Sequence, residues 1–138
     1  LQHDYQSDLE KVLFIFSLSV KHENFTIKDI QRLVIPPLKL NQYRIYVDEE
    51  VPLCYASWAM LPEEAEEGYK NKTRKIQPQD WNSGDNLWLI DVICPFGGTR
   101  IAIKRLDNLR KELGLPDRVN FHRSKRLGSN RINNVKRI

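Results

Sequence analysis

Hydrophobic positions change their spacing several times along this chain, and the changes divide it into elements. Apolar residues dominate over residues 9–18, behind Ser7-Asp8-Leu9-Glu10, which has the spacing of a capping box. A first helix is therefore predicted to about Ser17, apolar on most faces and largely buried. A polar connector, residues 19–25, carries Ser19 and His22. Thr26, with Asp29 three residues on, caps a second helix using Ile27, Ile30, Leu33 and Val34, and Pro36-Pro37 ends it. From Gln42 the period becomes two, through Tyr43-Arg44-Ile45-Tyr46-Val47, an acidic turn at Asp48-Glu49-Glu50 and a second apolar run over residues 51–60, which is a β-hairpin. Pro62 and the glutamates that follow begin a solvated helix. Residues 70–75 are basic and read as a surface link without chemistry.

The stretch around which the rest is organised is residues 81–98, WNSGDNLWLIDVICPFGG. A polar turn opens into an apolar run over residues 87–94, and Pro95 stops it before a glycine pair. This is a buried strand feeding a loop. A period of two places Asp91 on the face of Leu87, Leu89 and Ile93. An ionised carboxylate left unpaired there costs several kcal/mol, so Asp91 requires a partner, a shifted pKa or water. Next comes an amphipathic helix with Ile101, Ala102, Leu106, Leu109 and Leu113 inward and Arg100, Lys104, Arg105, Arg110 and Lys111 outward, stopped by Gly114 and Pro116. Residues 117–122 form a last short strand. Helices flanking a sheet, with a strand, glycine loop and helix near the end, make the fold class α/β or α+β.

Length and charge narrow the function classes. The 138 residues suit one domain, and 41% hydrophobic with 29% charged residues is ordinary for a globular chain. No apolar run approaches the ~20 residues a membrane helix needs. Asp4, Asp8 and Glu10 argue against a secretory signal in the sequence shown, so a cytoplasmic location is expected and the Asn71-Lys72-Thr73 glycosylation pattern is read as chance. Cys54 and Cys94 have no metal or redox spacing and read as buried thiols. The net charge is +4, and no acidic residue follows Asp117. Residues 123–138 are thus a basic arm, expected to be disordered or to meet an acidic partner, beyond a domain of residues 1–122.

Candidate chemistry is sparse. Gly97-Gly98-Thr99 before a helix, with Arg100 and Lys104 following, is a candidate anion site, although two glycines there also serve as a plain tight turn. His3, at the start of the chain, and His122, at the head of the arm, read as surface residues. His22 leaves a buried helix on a loop, where catalytic groups are often displayed. Contact with Asp91 would account for the buried carboxylate and orient an imidazole as general base. Ser19, three residues before His22, reads as a cap or surface hydroxyl, or as an auxiliary nucleophile.

The strings Asn41-Gln42-Tyr43, Tyr55-Ala56-Ser57-Trp58-Ala59, Asp80-Trp81, Ser83-Gly84-Asp85, Trp88-Leu89-Ile90-Asp91 and Pro95-Phe96-Gly97 resemble, in that order, the RTX toxin-activating lysine acyltransferases of the haemolysin-activator type. The resemblance covers roughly residues 19–113. Leu33 departs from it, standing in place of an asparagine. It implies a fold similar to the Gcn5-related N-acetyltransferases, with a mixed sheet flanked by helices, and catalytic positions matching His22, near Ser19, and Asp91. It further implies transfer of a fatty acyl group from the phosphopantetheine of acyl-carrier protein, with no bound cofactor or metal, to internal lysines of an RTX protoxin in the bacterial cytoplasm, commonly by a homodimer. Arg100, Lys104 or the arm would then face the acidic carrier. Direct aminolysis and a covalent acyl-enzyme both remain open. From other classes, the arm with Phe121 and His122 permits a nucleic-acid-binding module, although no such signature is present, and a catalytically inactive scaffold would have the same fold.

Overall fold

Strands within residues 43–61, 86–93, 119–124 and 130–136 build a mixed sheet in the computed structural model, which describes the backbone of residues 5–124 and 130–136 and the side chains of residues 7–122. The helices are α1 (Tyr5–Ser17), α2 (Ile27–Leu33), α3 (Ile35–Leu40), α4 (Glu63–Lys70) and α5 (Thr99–Glu112). The strands are β1 (Tyr43–Asp48), β2 (Val51–Leu61), β3 (Asn86–Ile93), β4 (Val119–Ser124) and β5 (Asn130–Lys136), in that spatial order. Short 3₁₀ turns lie at Val20–His22 and Pro78–Asp80. The class is α+β: β1, β2 and β3 run antiparallel, β4 joins β3 in parallel, and β5 runs antiparallel to β4. Residues 125–129 and 137–138 of the basic arm, and His3, lie outside the described residues.

The N-terminal half departs from its pattern in two places. The first helix begins at Tyr5, so Ser7 sits inside its first turn instead of capping it, and Asp8 accepts a hydrogen bond from the Tyr43 hydroxyl. Only one face of α1 is buried, through Val12, Ile15 and Phe16, while Leu13, Phe14 and Leu18 stay exposed. Thr26 and Asp29 form the expected capping box. Pro36-Pro37, however, opens α3 where a stop was expected, since proline fits the first turn of a helix, whose N–H groups have no partners there. Three α-helices thus precede β1. The hairpin turns on Glu49 and Glu50, both with left-handed backbone, the geometry that matches strand twist in a two-residue turn.

Sheet register decides where the chemistry lies. On β2 and β3, Ser57 faces Asp91, but the next pair is Trp58 with Leu89, leaving Ile90 as an extra residue on β3. Such a bulge exchanges the two faces of the strand beyond it. Leu87 and Leu89 accordingly pack with Trp58 and Leu106 under α5, while Ile93 packs with Val12, Ile15, Phe16 and Tyr55 against the N-terminal helices. The expectation that Asp91 shares a face with Leu87 and Leu89 fails for this reason, and Asp91 shares its face with Ile93 alone of the three. A third cluster, Ala59, Leu61, Ala65, Ile76, Trp81 and Trp88, fills the end of the sheet beneath α4.

On α5, Ala102 and Leu106 are buried as expected, but Ile101 and Leu113 are exposed. Arg110 is drawn inward, where Asp107 and Asp117 pair with it. Gly114 ends the helix with a left-handed backbone.

Several of the motif residues are scaffold. Gln42 donates to the Trp58 and Trp81 carbonyls, and the Trp81 indole donates to the Arg32 carbonyl. Asp80 holds Arg74. Gly84 sits so close to β2 that a Cβ there would lie 2.2 Å from the Leu61 carbonyl oxygen.

Candidate active site

The chain after α1 does not drift away as a polar connector. Amide bonds from Leu18 to the Ile15 carbonyl and from Ser19 to the Phe16 carbonyl tighten the helix end, and the 3₁₀ turn follows. His22 is thereby turned inward to 7% exposure. Its ring is held between Phe16, with centroids 4.7 Å apart, and Phe25, at 4.8 Å, while Phe16 in turn packs edge-on against Tyr55. Aromatic contacts on both sides leave the imidazole little rotational freedom.

Within that cage both ring nitrogens are engaged. Nε2 lies 2.9 Å from Asp91 Oδ1, and Nδ1 lies 2.6 Å from Ser19 Oγ. A carboxylate only accepts, so Nε2 carries the hydrogen, and the lone pair on Nδ1 accepts from the Ser19 hydroxyl. Ser19 occupies the N-cap position of the 3₁₀ turn, yet its side chain makes no capping bond, because the hydroxyl is committed to His22. The structure therefore assembles Ser19, His22 and Asp91 in one hydrogen-bonded line, with His22 and Asp91 69 residues apart in sequence. In this line a serine hydroxyl is set against a base whose other nitrogen is oriented by a carboxylate, an arrangement suited to acyl transfer.

Asp91 is 8% exposed, and the two phenols its charge reaches stay neutral. Burial pushes the phenols of Tyr55 and Tyr69 well above their ordinary range, and the Asp91 charge adds to the shift in both. Neither tyrosine competes with His22 as a cation would.

The dyad forms a wall shared by two cavities. The smaller, about 220 Å³, is bounded by Leu18, Ser19 and the strand exit from Val92 to Pro95. The larger, about 490 Å³, opens where sheet pairing stops: β3 and β4 pair only at Trp88 with Asn120 and Leu89 with Phe121, and beyond those residues Ile90, Asp91 and His122 line the space. Leu33 lines it too.

Two groups on this wall escaped the sequence reading. The basic link was assigned no chemistry, but Lys72, Thr73, Arg74 and Lys75 line the larger cavity. His122, expected at the surface, is half-buried: Nε2 donates to the Tyr69 carbonyl at 3.1 Å, and the ring packs against Tyr69 and Trp88. Burial, with the charges of Lys72 and Lys21 adding, holds its pKa below the usual histidine value.

The glycine loop is not drawn into this assembly. Gly97 and Gly98 have left-handed backbones, and a Cβ on either would meet nothing within 4 Å. Arg100 and Lys104 are exposed on α5. Cys54 is buried beside Cys94, and burial with that neighbouring thiol pushes it up to about 12. Among the described residues no three His, Cys, Asp or Glu side chains converge as a metal site requires, and no helix is long and apolar enough to cross a membrane.

Comparison with known proteins points the same way as the geometry. The model of the RTX toxin acyltransferase family matches residues 2–137. The RTX-II toxin-activating lysine-acyltransferase ApxIIC of Actinobacillus pleuropneumoniae is 34% identical over 106 residues, which are 77% of this chain and 66% of that protein. The protein-lysine myristoyltransferase RtxC of Kingella kingae is 34% identical over 106 residues, 77% of this chain and 64% of its own length. The protein-lysine myristoyltransferase HlyC of Escherichia coli is 36% identical over 89 residues, 64% of this chain and 52% of its own length. The matched region thus spans just under two thirds of the first two of these relatives.

Proposed function

The chain belongs to the RTX toxin acyltransferase family, and we propose that it transfers a fatty acyl group from the thioester of acyl-carrier protein to lysine side chains of an RTX protoxin. The observation that carries this reading is the buried line from Ser19 through His22 to Asp91. Asp91 fixes the tautomer of His22 and stabilises the imidazolium that forms when Nδ1 takes a proton. The amine attacks the thioester carbon, the carbon–nitrogen bond forms, and the thiol leaves with a proton returned through the same histidine. Acyl-carrier protein as donor, a cytoplasmic setting and a homodimeric assembly belong to the same proposal. Arg100 and Lys104, exposed on α5, are in a position to meet an acidic carrier.

One distance favours a second route. With Ser19 Oγ 2.6 Å from the Nδ1 lone pair, the serine is the group best placed to lose a proton to His22. Ser19 would then attack the thioester, release the thiol, and hold the acyl group as an ester until the lysine displaces it. Intact-mass measurement after rapid mixing with acyl-carrier protein alone separates the routes, since only the serine route gives an acyl adduct that Ser19→Ala abolishes. The reading as a whole is tested by incubating the chain with loaded acyl-carrier protein and a protoxin fragment and mapping modified lysines by mass spectrometry. Unmodified lysines throughout would sink it.

A further inference from the structure

A lysine ammonium that becomes an amide must lose two protons, one before it attacks and one afterwards. With a pKa near 10.4 the ammonium is almost fully protonated at neutral pH, so the first loss needs a base of its own. His22 is poorly placed to provide it, because Nε2 is committed to Asp91 and Nδ1 to Ser19. A second imidazole stands on the same cavity wall. His122 Nε2 faces the Tyr69 carbonyl, which can only accept, so the hydrogen is on Nε2 and Nδ1 presents a lone pair. That Nδ1 is buried and has no hydrogen-bond partner among the described residues, a costly arrangement that an N–H donor on a ligand would relieve. Tyr69, at 4.5 Å, and Trp88, at 5.4 Å, hold the ring in place.

Resting on the acyl-transfer reading, we infer that His122 is a second general base, which takes through Nδ1 the proton the acceptor lysine loses before attack. Ser19 and His22 handle the proton released on attack. The step balances as follows. An N–H bond of the ammonium breaks and its proton joins Nδ1, giving an imidazolium. The freed amine forms the carbon–nitrogen bond to the acyl carbon, and the carbon–sulfur bond breaks. The proton of the new nitrogen passes by Ser19 and His22 to the departing thiolate, and the His122 imidazolium releases its proton to solvent.

The charges around His122 suit this task. Tyr69 of α4, Lys72 of the following link and Lys21 of the 3₁₀ turn face it, and the same cavity holds His22, Arg32, Asp91, Arg74 and Lys75. Arg32 and Arg74 are paired with Asp29 and Asp80, whereas Lys21, Lys72 and Lys75 have no ion pair among the described residues. Unpaired cations disfavour an ammonium in their midst and favour the neutral amine, the form that must attack. They also keep His122 itself unprotonated near neutrality, in step with its lowered pKa.

The test uses the full chain, loaded acyl-carrier protein and two acceptors: a protoxin lysine peptide, and hydroxylamine, which is already neutral at pH 7. His122→Gln keeps an amide donor for the Tyr69 carbonyl but removes the basic nitrogen. The expected result is a loss of about 10²-fold in kcat with the lysine peptide, with a rate that climbs steadily with pH, and a hydroxylamine rate within about threefold of the unaltered chain after the enzyme-free rate is subtracted. His22→Gln should lose transfer to both acceptors. Equal loss with both acceptors in His122→Gln, or loss with neither, overturns the inference. If thermal unfolding shows that this variant does not fold, His122→Asn takes its place, with the same expected split between the two acceptors, and equal loss with both or loss with neither overturns the inference. Absence of transfer by the unaltered chain to either acceptor overturns the functional reading and this inference with it.

Discussion

Two regions border the C-terminal half of β3, and they are built in opposite ways. At Asp91, segments far apart in sequence converge, both nitrogens of His22 are bonded, and phenylalanines hold its ring from two sides. At residues 96–104 the chain is open: Phe96, Arg100, Ile101 and Lys104 are exposed, and the glycines have empty space where a side chain would go. Reactive geometry requires groups held within fractions of an ångström, which packing between distant segments provides and an exposed loop does not. The loop is suited at most to docking.

The contrast breaks most easily at the dyad. Asp91→Asn is expected to fold, since an amide still bonds His22, yet to lose acyl transfer by roughly 10²–10⁴-fold because the imidazolium loses its counter-charge. Near-normal turnover of the folded variant with loaded acyl-carrier protein would remove Asp91 from the mechanism. Ser19→Ala should cost about 10²-fold in the same assay, and an unchanged rate would demote the 2.6 Å contact to structural support. Gly84→Ala forces a Cβ against the β2 backbone and should destabilise the fold by about 3 kcal/mol, seen as a fall of roughly 10 °C in Tm. Gly98→Ala, strained only by its left-handed backbone, should cost about 1 kcal/mol and leave turnover intact. Arg100→Ala or Lys104→Ala should raise the donor KM by only about threefold, with an effect that fades in high salt. A loss of turnover as large as that of Asp91→Asn in any of the loop variants would reverse the assignment of roles.

Acid should act through the dyad's side of the strand as well. The folded pKa of His122 lies below its unfolded value, so in the window between them the unfolded chain binds the proton and the folded one does not. Stability is therefore expected to fall as pH drops through and below about 6.5, the ordinary histidine value. Urea titrations at stepped pH should show this slope, and it should shrink in His122→Gln.

Much of the architecture was legible because local rules wrote it. The Thr26 and Asp29 cap, the period-two hairpin, the solvated helix after Pro62 and the Gly114 stop all follow from short-range chemistry. The demand that Asp91 find a partner was legible too, since a buried carboxylate is costly wherever it lies. The bulge was not, because Leu87 to Ile93 reads as one uninterrupted strand and the extra residue appears only against β2. His122 and the basic link were missed for a related reason. Their neighbours, Tyr69, Trp88 and His22, are distant in sequence, and charged or terminal stretches read as solvated until a cavity gathers them.

The extra residue at Ile90 makes the register between β2 and β3 a matter of counting. Every substitution within β3 leaves that count unchanged, so scanning the strand one side chain at a time would not reveal what places Asp91 on its face. Deleting Ile90 tests it. Leu89 and Asp91 would become neighbours, plain alternation would still set them on opposite faces, and the pairs of Asp91 with Ser57 and Leu89 with Trp58 would both persist, so the carboxylate should keep facing His22. What turns Asp91 toward the imidazole is its pairing with Ser57, and the residue at 90 is slack in the strand that this pairing leaves unused.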